Sequence, residues 1–119
     1  MDAVLAEDGA MMVWWGTIVE CAAALERTDR RGRLDPSLVR GANDRLRSMV
    51  HKWIEVPAGA VVRDHALRLL RVHALRAADA LQLAAALVAS ELRPKDLEFV
   101  TLDARLAEAA DREGFRVLG

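Results

Sequence analysis

Three carboxylates occupy positions where a chain of alternating strands and helices would gather reactive groups: Glu20, Asp79 and Asp103. Asp103 directly follows Glu98-Phe99-Val100-Thr101-Leu102, which reads as a short buried strand. It therefore falls at the carboxyl edge, where open α/β sheets bind ligands. Glu20 lies one turn into a helix that starts at Thr17, and Asp79 one turn into a helix that starts near Ala77. Helix N-termini favour negative charge, so both positions suit an acid. Carboxylates collected at one sheet edge repel each other unless a cation neutralises them, and hard oxygen ligands suit Mg²⁺ or Mn²⁺. The expected site is thus a hydrated divalent metal held by Glu20, Asp79 and Asp103. Each acid also has a plainer role open to it. Asp103 could serve only as a helix N-cap, Asp79 as a first-turn acid and Glu20 as a solvent-facing helix residue.

Asp79 stands out because Ala80, Leu81, Leu83, Ala84, Ala85 and Ala86 follow it. A helix apolar around most of its circumference is buried, and an acid on it needs a partner.

The elements that must position these residues follow from periodicity and breaks. Asp2 to Asp8 reads as the tail of a helix stopped by Gly9, and Ala10 to Trp15 as an apolar strand. Trp14 and Trp15, as strand neighbours, point to opposite faces, and a two-sided sheet buries both. Ile18, Val19, Ala22 and Leu25 recur at helical spacing up to about Thr28. Asp35 with Pro36 opens a helix running to about Trp53, and Ile54 to Val56 is a strand stopped by Pro57. Further helices are expected from about Ala58 to His73 and from about Ala77 to Glu91. Leu97 to Leu102 is a strand, Asp103 caps a helix to Glu113, and Phe115 to Leu118 is the last strand. Four strands alternating with helices predict one α/β domain over residues 1–119, its sheet mostly parallel and covered by helices on both faces.

A formal charge of -1 gives no general attraction to polyanions, so any such binding must be local. Lys52 and Lys95 are the only lysines, and the arginines Arg27, Arg30, Arg31 and Arg33 cluster where a helix ends. That cluster suits the helix dipole and could equally contact RNA or a protein partner. Cys21 is the single cysteine, which excludes an internal disulfide and a cysteine-based zinc site and agrees with a cytoplasmic setting. The uncharged stretches are too short to span a bilayer. His51, His65 and His73 share no metal-ligand spacing and read as helix-surface residues.

The segment Arg76-Ala-Ala-Asp79-Ala-Leu-Gln82-Leu-Ala-Ala-Ala-Leu resembles the PIN-domain segment around that family's third acid, usually written Asp-Ala-Leu-His-Leu-Ala. Gln82 stands at the common histidine, a position that is not a metal ligand in the family. Phe99-Val-Thr101-Leu-Asp103-Ala-Arg-Leu-Ala-Glu-Ala-Ala resembles the segment around the fourth acid, and Thr17-Ile-Val-Glu20-Cys-Ala-Ala-Ala-Leu that around the second. The chain thus resembles the PIN-domain family of magnesium-dependent ribonucleases, which includes VapC-type toxins. The resemblance implies a three-layer PIN-like domain and Glu20, Asp79 and Asp103 as catalytic and metal-binding residues. It also implies RNA as substrate, cut hydrolytically, a homodimeric state and a VapB-like antitoxin as partner.

The family's first strand, ending in its first aspartate, has no counterpart in residues 1–119, so roughly 25 to 30 residues of a strand-and-helix unit are expected to be absent. Asp2, Glu7 and Asp8 cannot replace that aspartate if they belong to the unit's closing helix. Two consequences are expected: weakened catalysis, and a sheet in which the strands at Met11 to Trp15 and Leu97 to Leu102 lack the central strand between them. The competing readings are an inactive PIN-derived binding module and a receiver-like signalling domain. The latter needs a lysine at the end of a late strand, which this chain lacks.

Overall fold

The computed structural model describes residues 3–7, 10–30, 32 and 35–119, with side chains described within 11–30, 32 and 35–119. Five strands and five α-helices follow in the order β1 (Ala3–Glu7), β2 (Ala10–Trp14), α1 (Thr17–Arg30), α2 (Pro36–Val50), β3 (Trp53–Val56), α3 (Ala60–Val72), α4 (Ala77–Ala89), β4 (Glu98–Thr101), α5 (Ala104–Arg112) and β5 (Arg116–Leu118). One turn of 3₁₀ helix, Pro94–Asp96, precedes β4. The fold is α/β, as the alternation of elements predicts. No helix among the described residues is long and apolar enough to cross a membrane.

The strands form one sheet in the order β3-β2-β1-β4-β5. β2 pairs parallel with β3, and β4 parallel with β5, whereas β1 pairs antiparallel with both β2 and β4. Four strands therefore run one way and β1 alone runs against them. This corrects two expectations. Residues Ala3–Glu7 are a strand rather than a helix tail, and they fill the slot between β2 and β4 that was expected to lack a strand. The expected helix stop at Gly9 lies outside the described residues. Unsatisfied backbone groups on two facing strands are costly, and a reversed strand satisfies them as completely as a parallel one.

The apolar residues of β2 alternate between two clusters. Met12 and Trp14 pack into a large core with Leu69 of α3, Leu83 and Leu87 of α4, Phe99 of β4, Leu106 of α5, and Phe115. Met11 and Val13 pack into a smaller one with Ile18, Cys21 and Leu25 of α1, Leu46 and Val50 of α2, and Trp53. α4 is buried at Ala80, Leu83, Ala84, Ala85, Ala86 and Leu87, as its uninterrupted apolar character requires. Trp15 departs from expectation. It lies beyond the end of β2 and is 55% exposed, so only Trp14 joins the core.

α2 begins as expected, with Asp35 as N-cap accepting from the Ser37 amide at 2.8 Å and Pro36 in the first turn. The Ser37 hydroxyl also donates to Asp35, and these bonds hold its carboxyl below the ordinary range. In α1 the last turn carries Arg27 and Arg30; Arg31 and Arg33 lie outside the described residues.

Candidate functional site

Asp103 is fixed by the local chemistry of a strand-to-helix turn. Its carboxylate accepts from the Leu106 amide at 3.0 Å, the bond expected of an N-cap, while its own amide donates to the buried Thr101 hydroxyl at 3.1 Å. Asp103 is exposed, so the capping role leaves its carboxyl group in reach of solvent. Asp79 lies in the first turn of α4 and is half-buried. The two acids line the same open cleft of about 820 Å³, together with Leu70, His73, Arg76 and Arg105.

Glu20 lies in the first turn of α1, half-buried. Its carboxylate accepts from the Gln82 side-chain amide at 2.5 Å, so it is not the solvent-facing acid of the plainer reading. It lines a separate pocket of about 330 Å³ with Thr17, Cys21 and Arg27. Two buried polar atoms beside it, Gln82 Oε1 and Thr17 Oγ1, have no hydrogen-bond partner. Asp79 and Asp103 thus line one cleft, and Glu20 lines another and is tied to α4 through Gln82, one turn after Asp79. Among the described residues, no group of three or more His, Cys, Asp or Glu side chains is gathered closely enough to hold a metal ion.

What this arrangement can do chemically is narrower than a three-carboxylate cage. Mg²⁺ commonly binds through one or two carboxylates, keeps several waters and takes further oxygens from substrate phosphate. Two acids in one open cleft meet that lesser requirement, and both are hard oxygen ligands of the right kind.

His73, which lines the cleft, belongs to a cluster that residue spacing did not reveal. His73 lies at the end of α3, its side chain only 5% exposed, with Nε2 at 2.7 Å from Glu113. Arg68 donates to the same carboxylate at 2.7 Å. His73 is therefore not the helix-surface residue expected. Burial pushes the Glu113 carboxyl up, but the hydrogen bonds from Arg68 and His73, with the attraction of both, outweigh it and hold the group below the ordinary glutamate value. His51 is exposed and His65 half-buried.

Set against known proteins, the chain matches no family model, no curated protein and no solved structure.

Proposed function

We propose that the chain is a metal-dependent endoribonuclease of the PIN type, in a three-layer PIN-like arrangement, with Asp79 and Asp103 holding Mg²⁺ or Mn²⁺ and Glu20 as the third acid. The observation that carries this reading is the shared cleft. Two acids from different helices line it, at the carboxyl edge of β4, beside two arginines. When bound there, the metal would supply an activated water and offset charge on the phosphodiester. Asp79 and Asp103 would hold and orient it, and α4 and α5 fix their spacing.

Glu7 does not supply a fourth acid on this reading. It pairs with Ala10 at the start of β2 and so sits at the opposite edge of the sheet. With Glu20 turned to Gln82, the chain is expected to cleave slowly. A cytoplasmic setting, self-association and a VapB-like antitoxin belong to the same proposal, since Asp79 and Asp103 offer an inserted arginine carboxylate partners.

The test is cleavage of single-stranded RNA with Mg²⁺ or Mn²⁺. Weak cleavage abolished by Asp79→Asn, by Asp103→Asn and by chelation supports the reading. Cleavage that survives both substitutions overturns it. The hold of Gln82 on Glu20 favours a second reading, a PIN-derived module that binds RNA without cutting it, and bound but intact RNA under the same conditions is its signature.

A further inference from the structure

We infer that Arg76 and Arg105 form a phosphate-binding pair, so that the cleft grips the sugar-phosphate backbone of single-stranded RNA through phosphates next to the one at the metal. The identity of the ligand rests on the ribonuclease reading above. Arg76 is the residue before α4 and Arg105 is the second residue of α5; both are exposed and both line the cleft of Asp79 and Asp103.

Helix stability does not account for them. A cation at a helix N-terminus opposes the macrodipole, and each of these two arginines stands at the N-terminal end of its helix. Arg76 makes no side-chain capping bond. Ion pairing does not account for them either. Among the described residues the ion pairs involve Arg47, Arg68, His73 and Arg112, and neither Arg76 nor Arg105 takes part in one. Two acids and two arginines therefore share one cleft without these arginines being spent on neutralising the acids.

A site that holds both signs apart is complementary to a ligand that itself carries both. A divalent cation bridged to a phosphodiester is such a ligand, and the cation would sit at the acids while neighbouring phosphates meet the guanidinium groups. The planar fork of arginine matches a phosphate bidentately, and the same helix ends present amide groups suited to anions. Recognition of this kind reads the backbone and leaves base identity unread.

The experiment has three arms on the full 119-residue chain: a labelled single-stranded oligoribonucleotide followed by anisotropy at several salt concentrations, inorganic pyrophosphate by calorimetry, and Mn²⁺ alone by electron paramagnetic resonance. Arg76→Ala and Arg105→Ala should each weaken oligonucleotide binding about tenfold, a loss near that of one charge-assisted hydrogen bond. Each should also lower the slope of log affinity against log salt by about 0.7, the share of one phosphate contact. Pyrophosphate should weaken in parallel. Mn²⁺ should bind more tightly, because a positive charge beside the acids is gone. Opposite signs for phosphate and metal are not what a local loss of folding produces. Arg76→Lys and Arg105→Lys should restore the salt slope and only part of the affinity. Unchanged or absent binding of both phosphate ligands overturns the inference. Arginine-dependent pyrophosphate binding in a chain that neither holds Mn²⁺ nor cuts RNA upholds the phosphate pair and overturns the ribonuclease reading.

Discussion

The Gln82 side-chain amide reaches the Glu20 carboxylate at 2.5 Å, and this bond joins α4 to α1. Gln82 is only 4% exposed, so the bond forms where water competes little. A hydrogen bond to a charged group contributes about 1.5–3 kcal/mol. A double-mutant cycle of Gln82→Ala with Glu20→Ala, followed by urea unfolding, should give a coupling energy in that range. A coupling near zero would show that the two side chains do not depend on each other.

Glu113 sets the acid limb of stability. Its folded value is held below the ordinary one of 4.5, so its contribution is present above that unfolded value and is lost as pH falls through the lower folded value. Thermal unfolding of the parent chain should therefore weaken as pH drops below about 4.5. Glu113→Gln should be less stable at neutral pH and should lose less on acidification. An identical acid limb in both proteins would remove Glu113 from the explanation.

The capping and metal roles of Asp103 separate by substitution. Asparagine caps a helix about as well as aspartate, whereas alanine costs about 0.5–2 kcal/mol. Asp103→Asn should keep the parent stability and lose most Mn²⁺ affinity, and Asp103→Ala should lose both. Asp79→Asn should weaken Mn²⁺ at least as strongly, while Glu20→Gln, acting from outside the cleft, should cost about 10–100-fold. Equal losses at all three positions would mean that Glu20 is a direct ligand after all.

β1 can be probed by a single proline. Leu5 pairs with Met12 on one side and Phe99 on the other, so Leu5→Pro takes a donor from a central strand and distorts two ladders at once. The expected cost is about 1–3 kcal/mol for each buried backbone group left unpaired. Hydrogen exchange should show lost protection in β2 and β4 together. Unchanged protection there would argue against the reversed central strand.

Much of this fold is legible in local sequence because local rules decide it. Asp35 with Pro36, Asp103 before Ala104 and the apolar run after Asp79 each specify an element through a cap or a period, and those helices start where expected. Ala3–Glu7 follows no such rule. Five residues of mixed character fit a strand as well as a helix, and what decides is the empty slot between β2 and β4, a property of the assembled sheet. The site divides in the same way. The helix starts of Asp79 and Asp103 are legible, and both acids line one cleft, whereas Glu20 at a third helix start does not. The turn of Glu20 to Gln82 and the meeting of His73 with Glu113 depend on how α1, α3 and α5 pack, and no spacing in the chain encodes it.

The reversal of β1 also decides what flanks Thr101. Ala3 pairs with Thr101 from one side of β4. Gly119 follows β5 on the other side, packed so tightly that a Cβ there would collide with the Thr101 carbonyl oxygen. Ala3 and Gly119 thus flank the same residue, about two strand spacings, or roughly 10 Å, apart. Mass attached at Gly119 would stand beside Thr101, two residues before Asp103, so a purification handle is better placed in the turn between α2 and β3, at the opposite edge of the sheet.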